Sequence, residues 1–282
     1  MMPETPCKPH NRQSGFSLIE LVVVITILGL IAAGTAIYIV QTTQAYSDSA
    51  RRDQITSLAR TATERVVREV RNALPNSIRL TTTTTAGVTT ACIEFFPVVR
   101  ASAYTDLPLT AASTSFPAVP FAGPGGGTFH IVVYPYAPAP LYNTGSPGQV
   151  ADFDPASNTA AGEVLLNPAH QFTFASSRQR FFLVADPVSF CIDDGNNQLN
   201  RYADYGIDAS ASAPPELTTG VPATPALLAD DIYLQDNATA VTPFTYTPGS
   251  LSRAAVVKLD FRFMQDGEWV RLQQEVQLRN AP

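Results

Sequence analysis

Apolar residues follow three successive patterns along the chain. From Phe16 the run FSLIELVVVITILGLIAAGTAIYIV is apolar almost without break, and Leu21 to Val40 is twenty residues without a charge. At about 1.5 Å rise per residue such a helix spans roughly 30 Å, the hydrocarbon thickness of a bilayer. Beyond it the pattern narrows to a stripe. Ile55, Leu58, Ala59, Ala62, Val66, Val70 and Ala73 recur at spacings of three and four, the period of an amphipathic helix. Glu64/Arg68 and Arg65/Glu69 stand as i,i+4 pairs on the polar side. Pro75 closes the pattern, so a helix is predicted from Phe16 to Leu74, roughly 88 Å if continuous.

After Pro75 the period becomes two. Ala91–Val99, Thr128–Tyr136, Gln171–Phe174, Arg180–Ala185, Val188–Ile192, Ala254–Met264 and Trp269–Leu278 are rich in Val, Ile, Phe and Tyr and are predicted strands. Phe181-Phe182-Leu183-Val184 is a short run suited to burial on both faces. Asp266-Gly267 between the last two strands predicts a hairpin, and Asp193–Asn197 a second one. The Pro/Gly/Ala/Thr/Ser-rich stretches near 107–127, 137–162, 209–226 and 236–250 are expected to be surface loops. The expected class is α+β, a long N-terminal helix packed on an antiparallel β-sheet head with long loops. Its expected parts are 1–15, a polar leader; 16–40, a transmembrane helix; 41–75, an amphipathic helix; and 76–282, the head.

Charge divides the chain in the same way. Of 282 residues only 15% are charged, and 24 acids against 18 bases give a net charge of −6. Residues 48–79 hold seven arginines against four acids, while residues 80–282 hold nine bases against eighteen acids. The segment is thus +3 and the head −9. An acidic head repels phosphates at long range, which argues against a nucleic-acid partner.

Glu20 is the anomaly in the apolar run, since an unpaired carboxylate in hydrocarbon costs on the order of a few kcal/mol. A cut after Gly15 would supply a counter-charge: the new amine of Phe16, four residues from Glu20, on its own or on a neighbouring helix. A cleaved secretory signal would need a shorter apolar core and a small-residue site, and fits poorly. A plain membrane anchor is the remaining alternative. The string Gly15-Phe16-Ser17-Leu18-Ile19-Glu20, after a short polar leader and before an apolar helix, resembles the type IV prepilin signal of pilins and of type II secretion pseudopilins. The resemblance implies a type IV pilin-like fold, cleavage after Gly15 by a prepilin peptidase, N-methylation of Phe16, and Glu20 as the assembly carboxylate. The implied partners are other pilin or minor pilin subunits, an inner-membrane assembly platform, and membrane lipid before assembly. The implied location is a single pass in the inner membrane with a periplasmic head, then an extracellular fibre. Many major pilins kink this helix at a proline; this segment has none, and Gly29 and Gly34 are weaker helix positions that would soften it instead.

A second resemblance reaches further. Arg52-Asp53-Gln54, the run Arg68 to Arg79 (REVRNALPNSIR), Cys92-Ile93-Glu94-Phe95, and Val188-Ser189-Phe190-Cys191 followed by Arg201-Tyr202 look like MshO-type minor pilins of mannose-sensitive haemagglutinin pili. That implies a minor pilin acting in initiation or at the tip. A J-type minor pseudopilin of type II secretion and a tip adhesin are the alternatives. An exported head would place Cys92 and Cys191 in an oxidising compartment, where a disulfide is expected over two buried thiols; Cys7 falls in the leader.

No enzymatic constellation emerges. His10, His130 and His170 lack metal-ligand spacing, and Gly123–Gly127 lacks the lysine and helix of a phosphate loop. Neither a nucleophile-elbow nor a zinc-protease motif occurs. Asp193–Asn197, with Asp204 and Asp208, offers oxygens for Ca²⁺ but not the EF-hand pattern, and such residues are equally the ones hairpin turns require. No cofactor and no metal is therefore expected.

Overall fold

A computed structural model describes residue 15 and residues 17–210, 215, 225–236, 239–249 and 253–278. The chain forms two compact units, Met1–Asp53 and Gln54–Pro282, and helix α1 (Leu18–Val70) contributes to both. In the first unit every helical residue from Leu18 to Ala50 is exposed, including the whole apolar run. The helix is long and apolar enough there to cross a membrane. The hydroxyls of Thr26 and Thr35 donate back to the carbonyls of Val23 (2.8 Å) and Ile31 (2.9 Å), which hides them from an apolar solvent.

In the second unit the predicted stripe is the buried one: Ile55, Ala59, Ala62, Val66 and Val70 lie inside, with Thr63 and Val67 at its margin. The helix ends at Val70, four residues before Leu74. There the backbone exchanges helical bonds for tertiary ones. Val98 N–H donates to Asn72 O (3.0 Å), Leu74 N–H to Phe96 O (2.8 Å), and the Asn72 amide to Val98 O (2.6 Å). Pro75 then disfavours helical geometry at Leu74.

The strands of the head are β1 (Arg79–Thr85), β2 (Val88–Phe95), β3 (Val98–Ala103), β4 (Ser113–Pro117) and β5 (Phe129–Val133). The short helix α2 (Pro138–Leu141) follows, then β6 (Val150–Asp152), β7 (Glu163–His170), β8 (Arg180–Ala185), β9 (Val188–Asp193) and β10 (Gln198–Tyr202). The last are β11 (Ala226–Ala229), β12 (Gln235–Asp236), β13 (Thr239–Ala240), β14 (Phe244–Thr247), β15 (Val256–Gln265) and β16 (Glu268–Gln277). All named strand pairings are antiparallel. A five-stranded sheet runs β1-β2-β9-β10-β11, and a three-stranded sheet runs β14-β15-β16. Both close over the helix stripe through Ile93, Phe95, Phe190, Ile192, Val257, Leu259, Phe261 and Phe263. This is the α+β architecture expected from the periodicity, with the type IV pilin-like arrangement that the resemblance of the N-terminal segment implies.

Residues between β2 and β9 build a separate lobe. Its sheet has the order β3-β8-β5-β6, and β4 pairs with β7 beside it. Phe116 packs edge-on against Phe172 and Phe181, with centroids 6.1 and 5.4 Å apart, in a core of its own. The opposite face of the sheet packs Val132 and Val184 on Leu74, Phe96 and Tyr142. Strand β8 is therefore covered on both sides, with Phe181 and Leu183 one way and Phe182 and Val184 the other. Both crossings into and out of the lobe carry a proline, Pro97 and Pro187. A residue with no N–H ends strand pairing at each.

Several sequence expectations change in this light. Ala91–Val99 is two strands in two sheets, broken at Pro97. Gln171–Phe174 contributes only an isolated bridge at Phe172. The supposed surface loops 107–127 and 137–162 contain β4, α2 and β6, and Phe116, Leu141, Val150 and Phe153 within them are buried. Hydrophobic alternation too short to register as a strand is enough when a neighbouring strand supplies the hydrogen bonds. Both predicted hairpins form, through Gln265↔Glu268 and Gln198↔Asp193 pairs. Asp266 (φ 49°) and Gly267 (φ 86°) take the left-handed geometry of a two-residue turn. Ala86-Gly87 makes a third such hairpin between β1 and β2.

Candidate functional site

The N-terminal segment carries the residues singled out for processing and assembly. Gly15 is exposed, whereas Phe16, Cys7, His10 and the rest of the leader lie outside the described residues. Ser17 opens the helix as its cap: Ser17 Oγ accepts the Glu20 N–H (3.2 Å), and Ser17 O accepts the Leu21 N–H (3.2 Å). Ser-x-x-Glu is the capping-box pattern, and it was legible in the sequence, although Glu20 alone drew attention there. A carboxylate in the first turn also faces the positive end of the helix dipole. The exposed Glu20 side chain has no ion-pair or hydrogen-bond partner among the described residues. A local cap thus explains where the helix begins, but not what compensates a carboxylate in an apolar segment.

Cys92 and Cys191 are brought together far from this segment in sequence. They face each other across β2 and β9 in direct register, with Cα atoms 4.1 Å apart, and are joined as a disulfide. Tyr202 packs on the bridge. The bond lies in the sheet from which the lobe departs, so it ties the strand leading into the lobe to the strand returning from it.

Two polar clusters had no sequence signal. Glu94 is 2% exposed and ion-paired to Arg79; the Tyr205 hydroxyl donates to its other oxygen (2.8 Å). The Arg79 guanidinium also lies 3.6 Å from the centroid of the Tyr142 ring and donates to Asp208 O (2.5 Å). Burial pushes the Glu94 carboxyl up, with Arg79 and Tyr205 acting against that rise. The partners stand 15 and 111 residues from Glu94, beyond any local pattern. They join the central sheet, the lobe and the segment after β10, which is a structural role.

His130 holds the second cluster. Its Nδ1 and Nε2 lie 2.8 Å from the carboxylates of Asp152 and Asp186, on adjacent positions of β6 and just past β8. Burial alone would push the imidazole down, but hydrogen bonds and charge from the two aspartates outweigh it and hold it at about 9. The pair stabilises the fold fully below the ordinary histidine value of 6.5, and that contribution fades as pH rises through about 9. In thermal melts across this window, the stability gap between wild type and His130→Asn is expected to narrow with rising pH. A constant gap would show that the imidazole charge contributes nothing.

These contacts organise structure. Both ring nitrogens of His130 are engaged, and His170 Nε2 lies 3.3 Å from Gly148 O. The Asp193 carboxylate accepts from Gly195 N–H (2.9 Å) and the Asn196 amide (2.6 Å), the ordinary use of these residues in a turn. Among the described residues no group of three or more His, Cys, Asp or Glu is arranged to hold a metal ion.

A family model described as the prokaryotic N-terminal methylation motif matches residues 10–36. No curated protein and no solved structure matches the chain. The motif covers the polar end, Gly15, Phe16, Glu20 and most of the apolar run, while the head lies beyond it. Together with an apolar helix suited to anchoring and a C-terminal β-rich head, it supports a type IV pilin- or pseudopilin-like protein.

Proposed function

We propose that the chain is a minor pilin of a type IV pilus, most like the MshO type, acting in initiation or in the tip complex of the fibre. In this reading a prepilin peptidase cuts after Gly15, Phe16 is N-methylated, and the precursor waits in the inner membrane with its head in the periplasm. An assembly platform then transfers it to a fibre, where Glu20 meets the amine of a neighbouring pilin. The observation that carries the reading is Glu20 in the first turn of a wholly exposed apolar helix, inside the matched methylation motif. Helices of this kind lose their bare apolar surface only by lying in lipid or against each other. A structural role fits this family better than catalysis.

The mature N-terminus tests the processing step. Mass spectrometry of protein from the producing cells is expected to show N-methyl-phenylalanine at position 16; an intact Met1 would overturn the reading. A J-type minor pseudopilin shares the signal and helix, and neighbouring genes for a secretion system instead of a pilus would favour it. A tip adhesin would use the lobe. Removing 107–127 or 137–162 is a poor test of that idea because both stretches contribute buried residues; exposed positions such as Tyr136 and Phe174 are the ones to change.

A further inference from the structure

Strand β1 is the outer edge of the five-stranded sheet, and it pairs with β2 alone. Which of its backbone groups face outward follows from the register. Asp194 N–H donates to Thr89 O (2.9 Å), so Thr89, Ala91 and Ile93 of β2 bond toward β9. The 4.1 Å between the Cα atoms of Cys92 and Cys191 agrees, being the short spacing of a pair that exchanges no backbone hydrogen bonds. Alternate residues of an antiparallel ladder bond to opposite sides, so Thr90, Cys92 and Glu94 bond toward β1. Thr83, Thr81 and Arg79, which stand opposite them, therefore turn inward. The N–H and C=O groups of Leu80, Thr82 and Thr84 point out of the sheet. None of these groups is hydrogen-bonded among the described residues.

Natural sheets blunt free edges with charge, proline, bulges or brevity. Strand β16 carries Glu268, Arg271 and Glu275, while β3, β4, β7 and β11 lie in ladders with register shifts. Strands β6, β12, β13 and β14 are short. From Leu80 to Thr85, β1 has no charge, no proline and no register shift. Beside it lies a cavity of about 200 Å³, lined in part by Thr82, Ala91, Leu234, Val241 and Pro243. Thr82 stands opposite Ala91, whose side chain belongs to the core face of the sheet, so the cavity adjoins the edge on that face. We propose that the free edge of β1 receives an extended segment of a partner protein as an added antiparallel strand. The residue opposite Thr82 places an apolar side chain of leucine size in the cavity; backbone bonds hold the segment and the cavity selects it. Charge fixes the rest of its chemistry. Residues 80–91 are uncharged, whereas the head beyond residue 79 holds nine bases against eighteen acids, so the segment is neutral or basic. A second copy of this chain fits less well. Pairing two β1 edges in full sets Thr82 against Thr82, leaves the cavity unfilled and brings two acidic heads together.

The probe is a blocked peptide alternating threonine and valine around a central leucine, with a lysine at each end. It is titrated into the full chain in a non-ionic detergent and followed by the anisotropy of a terminal dye. Residue-resolved hydrogen exchange reads the site: bound peptide is expected to slow the amides of Leu80, Thr82 and Thr84 about tenfold or more. The amides of Thr81 and Thr83, already in the ladder, should change little. Serine in place of the central leucine is expected to weaken binding about tenfold, the loss of one buried apolar side chain. N-methylation of the leucine amide, which would face Thr82 O, should abolish binding; N-methylation of the adjacent threonine, whose amide faces away, should not. Thr82→Pro removes an outward donor and no ladder bond, a placement that edge strands tolerate. It is expected to abolish binding with an unchanged thermal transition, and the N-methyl peptide makes the same test on the unaltered chain. Failure of wild type to bind at about 1 mM peptide overturns the proposal. So does equal binding by the serine or leucine-N-methyl peptide, or protection at β16 in place of β1. A dimer of the peptide-free chain that Thr82→Pro dissociates would also overturn it, by assigning the edge to a second copy. No readout uses a fibre, so each stands whether or not Phe16 is methylated.

Discussion

Glu20→Ala protein is expected to accumulate in the membrane at normal levels yet to be depleted from fibres at least tenfold, as read by immunoblotting sheared fibres against membranes. A carboxylate at the centre of a membrane helix costs about 2.5–3.5 kcal/mol, less near its end, so alanine should insert at least as well. Within the chain Glu20 has no side-chain partner among the described residues, and its backbone N–H is capped by Ser17, an interaction alanine keeps. Folding therefore has little to lose. In the proposed assembly reading, the cost of carrying the carboxylate is offset by a positive group from another subunit, through a charge-assisted hydrogen bond in a low-dielectric setting. A tenfold loss corresponds to about 1.4 kcal/mol, well within such a bond. Normal fibre entry by the Ala variant would remove the assembly role of Glu20 and leave a plain anchor.

The second large effect concerns the disulfide. Cys92 and Cys191 close a loop with a sequence separation of 99, for which chain entropy gives up to about 4.7 kcal/mol. The structure adds a reason for a large effect: the enclosed residues form a lobe with its own core, joined to the central sheet at two proline-marked crossings. Cleaving the bridge leaves the β2–β9 ladder, the packing of Val132 and Val184 on Leu74, Phe96 and Tyr142, and the Glu94 cluster to hold the lobe's base. Cys92→Ser with Cys191→Ser is expected to lower the thermal midpoint of the head by several degrees, roughly 2–4 °C per kcal/mol at this size. Proteolytic sensitivity should rise between residues 98 and 185. A midpoint unchanged by reduction would show that the ladder suffices.

Legibility differed by the range of the interaction involved. The helix, its buried stripe, the last hairpin and the doubly buried β8 were readable because each is set by residues within a few positions of one another. The stripe from Ile55 to Val70 repeats at the helical period, and Asp266-Gly267 requires only two residues with positive φ. Strands β4, β6 and β7 were missed within proline-rich sequence. β4 and β6 are short, and each finds its partner far along the chain: His130 pairs with Asp152, and Phe116 with Val164. The helix end was misplaced for the same reason, since the groups that replace its last bonds are at Phe96 and Val98.

The sequence by itself determined the division of the chain into an apolar helix bearing one carboxylate and an acidic β-rich head. Composition and period act locally, and burial of any such stripe or run is favoured whatever it packs against. Only the tertiary structure decided that residues 98–185 are a lobe inserted between paired strands. It also decided that Cys92 meets Cys191 in register and that Glu94 and His130 are neutralised inside. Those outcomes depend on which distant groups arrive at the same place, and charge or hydrogen-bonding capacity alone does not encode the meeting.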